Sequence, residues 1–215
     1  MSLTILALTL HFFLIFLPLS LSNNRIDNKI TLVINEKGSQ KIFSNTTTRP
    51  DVIMINGIVQ NKTNNDMIYD LPNEQNIILL KWKTLLVSCV EMFKNLINIV
   101  SIDLSSFNSS KVTNMNEMFY NCYQLKSINF TNFDTSLVTN MGSMFFGTQL
   151  TSLNLSSFNT SSLEFMRYMF YECRYLQILD LSNFNTSIVR NMENLFYNDK
   201  NLISLYLSSF DTSSV

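Results

Sequence analysis

KVTNMNEMFYNCYQLKSINFTNF, the stretch from Lys111 to Phe133, decides the predicted fold because near copies of it recur along the chain. The phenylalanine that ends each copy returns after 26 residues, and once after 25, at Phe107, Phe133, Phe158, Phe184 and Phe210. An earlier pair in each copy falls at Met92-Phe93, Met118-Phe119, Met144-Phe145, Met169-Phe170 and Leu195-Phe196. Self-similarity of this kind is typical of proteins whose repeats stack around one continuous core.

The first half of each copy has the apolar spacing of a helix. Val112, Met115, Met118 and Phe119 fall at i, i+3, i+6 and i+7, which places them on one helical face. Asn114, followed three residues later by a glutamate, matches a helix capping box. We therefore predict a short helix of about two turns in every repeat.

The second half of each copy alternates between apolar and polar residues, as a strand does. Leu125, Ile128 and Phe130 are predicted to point inward, between polar neighbours that point outward. Strands that are joined by a crossover helix run parallel. The sequence therefore predicts an α/β solenoid, a stack of about five strand–short-helix units with a small β-rich N-terminal cap.

The N-terminal segment predicts export. Residues 3–21 are almost wholly apolar, and Ser20 and Ser22 supply small residues before a cleavage point at 22/23. Residues 1–22 are therefore predicted to be a signal peptide, with an uncleaved signal anchor as the alternative, because the apolar run is just long enough to span a bilayer.

Residues 23–84 are predicted to form a β-rich N-terminal capping region, with an independent binding domain as the alternative. Ile30–Ile34, Gln40–Phe43 and Ile77–Trp82 are predicted strands, and Asn56-Gly57 between apolar runs is a hairpin signal. Residues 85–215 hold the tandem 25/26-residue repeats. They stop in the middle of a repeat, which predicts that the chain is a fragment of a longer protein, with a C-terminal anchor as one segment that could follow.

Composition argues against several functional classes. The formal net charge of -1 leaves no basic field for nucleic acid. His11, the only histidine, lies in the predicted signal peptide, which disfavours histidine-dependent catalysis and metal binding in the mature chain. The chain holds only 4 Gly and 3 Pro, so its turns must rely on Asn, Asp, Ser and Thr. We predict neither an enzyme, nor a cofactor, nor a metal site.

The repeats also carry a family resemblance. The pattern L-x-x-[IL]-[DN]-[LF]-[ST]-x-F-[ND]-[TS]-S, followed by [VL]-x-x-M-x-x-[ML]-F-x-x-C, resembles the 26-residue repeat of BspA-type surface proteins from Leu85 to Val215, although Thr148 and Asp199 replace the cysteine. The resemblance implies a leucine-rich-repeat-like fold and a non-enzymatic surface or secreted protein that is involved in adhesion.

The outward face of the predicted strands is the candidate ligand surface. It carries one ladder of mostly polar residues, namely Asp103, Asn129, Asn154, Asp180 and Tyr206. The two aspartates are three repeats apart with asparagines between them, which argues against a Ca²⁺ site. Tyr206 is the one residue there of a type that is common in binding hot spots.

Seven N-x-[ST] sequons are present, and Asn45 and Asn61 in polar loops are the better candidates for N-glycosylation. Asn129 and Asn154 lie within predicted strands, where a glycan would crowd the neighbouring repeats. Asn108 and its equivalents Asn159 and Asn185 alternate with Asp134 and Asp211, which favours a turn- or helix-capping role over glycosylation at that position.

The three cysteines are predicted to be small buried residues. Cys122 and Cys173 occupy the same place two repeats apart, about 9–10 Å, which exceeds the reach of a disulfide. Because the number of thiols is odd, an intermolecular bridge stays open as an alternative.

These observations predict a non-enzymatic secreted or cell-surface repeat protein that mediates binding or adhesion. The expected partner is a protein or carbohydrate on a cell or extracellular surface, with membrane contact only through the N-terminal segment or a missing C-terminal anchor. A structural coat component without a specific ligand is the alternative, and a non-catalytic fragment of a larger receptor or enzyme is a distant third.

Overall fold

The computed structural model describes residues 28–44, 48–61 and 67–215. The predicted signal peptide and the sequon at Asn45 lie outside these residues. Ten strands are present in this part of the chain: β1 (Lys29–Ile34), β2 (Gly38–Lys41), β3 (Val52–Ile55), β4 (Ile58–Val59), β5 (Ile68–Leu71), β6 (Asn76–Lys81), β7 (Ile99–Asp103), β8 (Ser127–Asn129), β9 (Ile178–Asp180) and β10 (Ser204–Tyr206).

The strands form one sheet of six, in the order β4-β3-β6-β1-β7-β8, and two sheets of two, β2-β5 and β9-β10. The Asn56-Gly57 hairpin is confirmed: both residues have positive φ and join the antiparallel β3 and β4. β1 pairs antiparallel with β7 and so covers the edge of the first repeat. Of the predicted strand at Gln40–Phe43 only Gln40 and Lys41 lie in a strand, because β2 begins at Gly38 and ends at Lys41, and β2 pairs with β5. The domain boundaries after residues 22 and 84 stay predictions.

The predicted α/β solenoid is wrong, because this is a β-rich fold with several sheets and no α-helix in the part of the chain that the structure describes. The segments that were predicted as helices are successions of tight turns. They run over residues 88–95, 114–121, 140–147, 165–172 and 191–198. We call these segments together the turn wall and number the repeats one to five by them. Within the described residues no helix is long and apolar enough to cross a membrane.

Backbone conformation explains why no helix forms in the turn wall. In the second repeat Glu117 and Asn121 have φ of 57° and 57°, in the left-handed region, and the fourth and eighth residues of every other turn segment do the same. A right-handed helix cannot continue through such residues. The predicted capping box is therefore wrong: the side chain of Asn114 instead accepts a hydrogen bond from the backbone N–H of Asn116 (2.9 Å).

The hydrogen bonds of the turn wall run between repeats. In the second repeat the backbone N–H groups of Met115, Glu117, Phe119 and Asn121 donate to carbonyls of the third repeat over 2.8–3.0 Å. The same four positions donate in the first, third and fourth repeats. A helix would keep these bonds within each segment, so the turns stack the repeats more directly than helices would.

Opposite the turn wall lies the strand wall, formed by β7, β8, residues 150–155, β9 and β10. The parallel pairing that was predicted for successive repeats is confirmed between β7 and β8 and between β9 and β10. A single five-stranded parallel sheet does not form, because residues 150–155 contribute only an isolated bridge at Ser152. The strand wall is therefore divided at the third repeat.

Two columns of aromatic rings fill the space between the walls, and all of these rings except the half-buried Phe196 are buried. Successive rings in the first column are 5.7–5.8 Å apart, and it comprises Phe93, Phe119, Phe145, Phe170 and Phe196. Successive rings in the second are 6.1–6.4 Å apart, and it comprises Phe107, Phe133, Phe158 and Phe184. Phe43 and Trp82 from the N-terminal region contact the first ring of each column. One apolar core therefore runs from the N-terminal strands through the repeats.

A ladder of buried hydroxyl groups lines a third side of the core. Thr160, which is 1% exposed, donates from Oγ1 to the carbonyl of Asn185 (3.2 Å) and accepts from the backbone N–H of the same residue (2.8 Å). Thr135 and Thr186 make the same pair of bonds to the next repeat. Each hydroxyl thus pairs with both the N–H and the C=O of one backbone position in the next repeat.

Replacing Phe145 by alanine tests the role of the first aromatic column. The ring is fully buried and stacked on both sides, so we expect Phe145→Ala to lower the free energy of unfolding by about 3–5 kcal/mol in urea denaturation. Phe165→Ala, at a ring that is 39% exposed, is the control and should cost about 1 kcal/mol. Equal losses in the two variants would contradict the assigned packing.

Thr160→Val tests the hydroxyl ladder with almost no change in side-chain shape. It removes the two hydrogen bonds between the Thr160 hydroxyl and the backbone of Asn185, so we expect a loss of about 1–3 kcal/mol by the same measurement. The exposed Thr151 is the matched site, where the same change should be nearly neutral. A Thr160→Val variant as stable as Thr151→Val would show that the ladder contributes nothing to stability.

Candidate functional site

The predicted ligand ladder lies along the outer side of the strand wall, where the structure keeps its members in line. Asn129 donates from Nδ2 to the carboxylate of Asp103 (3.0 Å) in the preceding repeat. Asp180 and Tyr206 occupy paired positions on β9 and β10. Asn154, in the third repeat, has no such bond to either neighbouring repeat among the described residues.

The oxygens of this ladder already serve the fold. The side-chain oxygen of each Asn or Asp accepts a hydrogen bond from the backbone N–H two residues later, over 2.9–3.1 Å, as in Asp103, Asn129, Asn154 and Asp180. The bond to the Ser182 side chain and then the bond to its backbone hold the pKa of Asp180 below its usual value. Because these turns need the oxygens, a ligand would compete with the fold for them.

The turn at Asn108 has the same hydrogen bond from a backbone N–H to a side-chain oxygen, which confirms the predicted turn-capping role at this position. The side-chain oxygen of Asn108 accepts from the backbone N–H of Ser110 (3.1 Å), and Asp134 does so from Ser136 (2.9 Å). The equivalents Asn159, Asn185 and Asp211 do likewise. Asparagine and aspartate alternate here because both form this turn.

Of the two preferred glycosylation candidates, only Asn61 lies within the described residues. It is exposed and follows the β3–β4 hairpin. That exposure is compatible with a glycan, and its use stays a prediction.

All three cysteines are free and buried, which confirms the prediction that they are core residues. Cys122 donates from Sγ to the carbonyl of Phe93 (3.0 Å), and Cys173 to that of Phe145 (3.1 Å), so each thiol links its repeat to the one before. Burial raises the pKa of both thiols. Within the described residues no group of three or more His, Cys, Asp or Glu side chains is arranged to hold a metal ion.

Sequence reasoning missed an aromatic strip on the outer side of the turn wall. Four rings stack along it, one from each repeat after the first: Tyr120, Phe146, Tyr171 and Tyr197. Successive centroids are 4.4, 4.6 and 4.8 Å apart, and the ring planes are within 20° of parallel. The signal was present in the sequence, since each of these aromatic residues directly follows the buried phenylalanine of its repeat.

The strip is bounded at its N-terminal end by a cation. Lys94 lies over the ring of Tyr120 at 5.3 Å and pairs with Glu91 (2.6 Å) and Glu117. Burial, and then the Glu117 carboxylate, raise the pKa of Tyr120. Like any tyrosine hydroxyl near neutral pH, that of Tyr120 is protonated and can donate a hydrogen bond. The first three residues of the strip are half-buried, and Tyr197 at its C-terminal end is 54% exposed.

Asp199 occupies, in the fifth repeat, the position that Cys122 and Cys173 occupy in the second and fourth repeats. Its Oδ1 accepts from the backbone N–H of Cys173 (2.8 Å), while its buried Oδ2 has no partner among the described residues. Burial raises its pKa to about 7, although the bond from Cys173 opposes this shift. A carboxyl group thus stands where the second, third and fourth repeats have a thiol or a threonine hydroxyl, and where the first repeat has Leu96.

The raised pKa of Asp199 predicts how stability depends on pH. The folded chain keeps this proton up to about pH 7, while the unfolded chain releases it near the ordinary value of 3.8. The folded state therefore binds more protons between these values, and this residue lowers stability as pH rises through that window. Asp199→Asn should remove this component of the slope, measured as urea midpoints between pH 4 and pH 8.

The matched control is Asp180→Asn, at a position where other repeats already carry asparagine and where the pKa is lowered. The Asp180→Asn variant should lose as much stability between pH 4 and pH 7 as the unsubstituted protein does. An Asp199→Asn variant with the wild-type slope would contradict the assigned pKa.

Comparison with known proteins identifies a family but no described relative. A family model described as "Mycoplasma protein of unknown function, DUF285" matches residues 87–178 and 175–215. No curated protein and no solved structure matches the chain. The resemblance to BspA-type leucine-rich-repeat-like proteins is therefore wrong, because the repeats match a different family. Since the two matched segments cover more than half of the chain, the protein belongs to the DUF285 family.

Proposed function

We propose that this chain is a non-enzymatic binding protein of the cell surface or extracellular space, and that it attaches to a protein partner through the aromatic strip. The strip itself is the observation that carries the proposal. It provides three tyrosines in one line, at least partly exposed, on a backbone fixed by hydrogen bonds between repeats. Tyrosine is enriched at binding hot spots because it buries a large rigid surface with few rotatable bonds.

The geometry of the strip favours a protein over a carbohydrate. Each internal ring has its two faces covered by its neighbours at 4.4–4.8 Å, and Lys94 covers the outer face of Tyr120. A sugar packs its C–H groups against an open ring face, and this strip presents mainly ring edges and hydroxyl groups. Edges and hydroxyls suit the mixed apolar and polar surface of a protein.

The strand wall offers a weaker binding surface. The oxygens of Asp103, Asn129, Asn154 and Asp180 are occupied by turns, which leaves Tyr206 as the main exposed aromatic residue of that ladder. The extracellular location is supported by the apolar segment at residues 3–21 and stays part of the proposal.

Cell adhesion to the immobilised protein tests this proposal. Beads coated with the full chain are offered to a panel of intact cells that includes cells of the producing organism. We expect retention that is lost after protease treatment of the cells and kept after periodate oxidation of their glycans. Because a hot-spot tyrosine contributes about 2 kcal/mol or more, Tyr171→Ala should weaken retention at least about 30-fold.

Tyr206→Ala is the matched control, since it removes an exposed tyrosine from the opposite wall. If the beads carrying the two variants retain cells equally, or if retention is lost only after periodate oxidation of the cells, the strip is not a protein-binding surface. A structural coat component would instead sediment as assemblies of the chain alone, with or without Tyr171.

A further inference from the structure

The strand wall is open between the second and third repeats. β7 and β8 pair through three residues each, and Leu104 extends the ladder by donating from its backbone N–H to Asn129 (3.0 Å). Among the described residues no backbone hydrogen bond joins β8 to residues 151–155. The outer ladder breaks at the same place, because Asn129 bonds to Asp103 on one side and has no bond to Asn154 on the other.

Two features of the sequence account for this opening. The third repeat has one residue fewer between its turn wall and its strand, since Thr148 and Leu150 stand where Cys122 and Leu125 stand in the second. In addition, Phe130 replaces the leucine of the other repeats, and its ring lies 5.0 Å from that of Phe158 in the third repeat. The shorter connection and the larger side chain both displace the third segment from the register of a ladder.

Core residues beside the opening are less well covered than their equivalents. Ile102 is 2% exposed and Leu179 is 0% exposed. Ile128 and Leu153, at the same inward position in the second and third repeats, are only partly buried. Solvent therefore reaches the core at this point of the strand wall.

The turn wall stays continuous through the same two repeats. Four backbone N–H groups, from Met115 to Asn121, donate to the third repeat over 2.8–3.0 Å. On the third side of the core, Thr135 bonds to both backbone groups of Asn159. The two repeats are thus joined along two sides and separated along the strand wall.

We propose that the third repeat is a hinge: the strand wall opens and closes between β8 and residues 151–155 while the turn wall acts as the axis. This motion changes the angle between the N-terminal strands with the first two repeats on one side and the last two repeats on the other. The proposal does not depend on the binding function, because it rests only on the distribution of hydrogen bonds and packing. Because no backbone hydrogen bonds join β8 to residues 151–155, the strand wall can open there without breaking any.

Pairs of spin labels two repeats apart test the hinge in the full chain. Labels at Ser127→Cys and Ile178→Cys lie on the strand wall on either side of the opening, and labels at Thr113→Cys and Glu164→Cys span the same repeats beside the turn wall. We expect the distribution of label distances to be at least twice as wide for the strand-wall pair. The buried native cysteines should not react, which the unsubstituted chain verifies.

Amide hydrogen exchange supplies a second measurement on the unlabelled protein. The backbone N–H of Ile128, which faces the opening, should exchange at least tenfold faster than those of Ile102 and Leu179, which face paired strands. Equal exchange at the three positions, or equal widths for the two label pairs, would overturn the hinge.

A variant that restores the second and third repeats to the pattern of the others distinguishes a local hinge from flexibility of the whole chain. Phe130→Leu combined with one serine inserted after Gln149 restores the leucine and the length of the other repeats. We expect the distribution of distances for the strand-wall pair to narrow to that of the turn-wall pair and the exchange of the Ile128 amide to slow at least tenfold. Phe130→Leu alone keeps the chain length and should narrow the distribution in part. If the distance distribution of the strand-wall pair is as wide in both variants as in the unsubstituted protein, Phe130 and the shorter connection do not cause the opening.

Discussion

The bonds that backbone amides of one turn segment donate to carbonyls of the next determine most of this structure. Four of these bonds join each of the first four repeats to the next, and they hold the turns in a conformation in which Met115, Met118 and Phe119 and their equivalents point into the core. The repeat distance that they set is close to the spacing of hydrogen-bonded strands, about 4.8 Å. Aromatic rings at equivalent positions are then brought into stacking distance, inside the core and along the outer strip alike.

The same constraint explains what the sequence did and did not predict about the fold. The repeat period, the burial of the Met-Phe pairs and the pairing of β7 with β8 follow from the apolar pattern alone. That pattern cannot distinguish a helix from stacked turns, since both return a side chain to the core after three or four residues. The deciding feature is the positive φ of residues such as Glu117 and Tyr168, which non-glycine side chains adopt only rarely. Hydrogen bonds to the neighbouring repeat over-determine this conformation, and they are tertiary contacts that no local sequence window contains.

The candidate site was predicted in part, for related reasons. Alternation of asparagine and aspartate at Asn108 and Asp134 correctly indicated a turn, and the structure shows the same turn at Asp103 and Asn129, where the sequence had suggested a ligand surface. Strand periodicity gives the outward direction of a side chain but not its hydrogen-bond partner two residues later. The aromatic strip was visible in the sequence as a column of aromatic residues, yet its exposure became evident only once the helical assignment of that half of the repeat was replaced.

The two walls differ in the continuity of their hydrogen bonds between repeats, and this difference bears on where a partner binds. Binding costs less when the groups that contact the partner are already fixed. The aromatic strip lies on the wall whose bonds are continuous from the first repeat to the fifth, while the strand wall is divided at Leu153. Opening of the strand wall about the turn wall would tilt the ends of the strip relative to each other with little change between adjacent rings, because the axis of the motion lies beside them. A partner long enough to contact Tyr120 and Tyr197 together would therefore favour one angle of the hinge, whereas a partner confined to two adjacent rings would be indifferent to it.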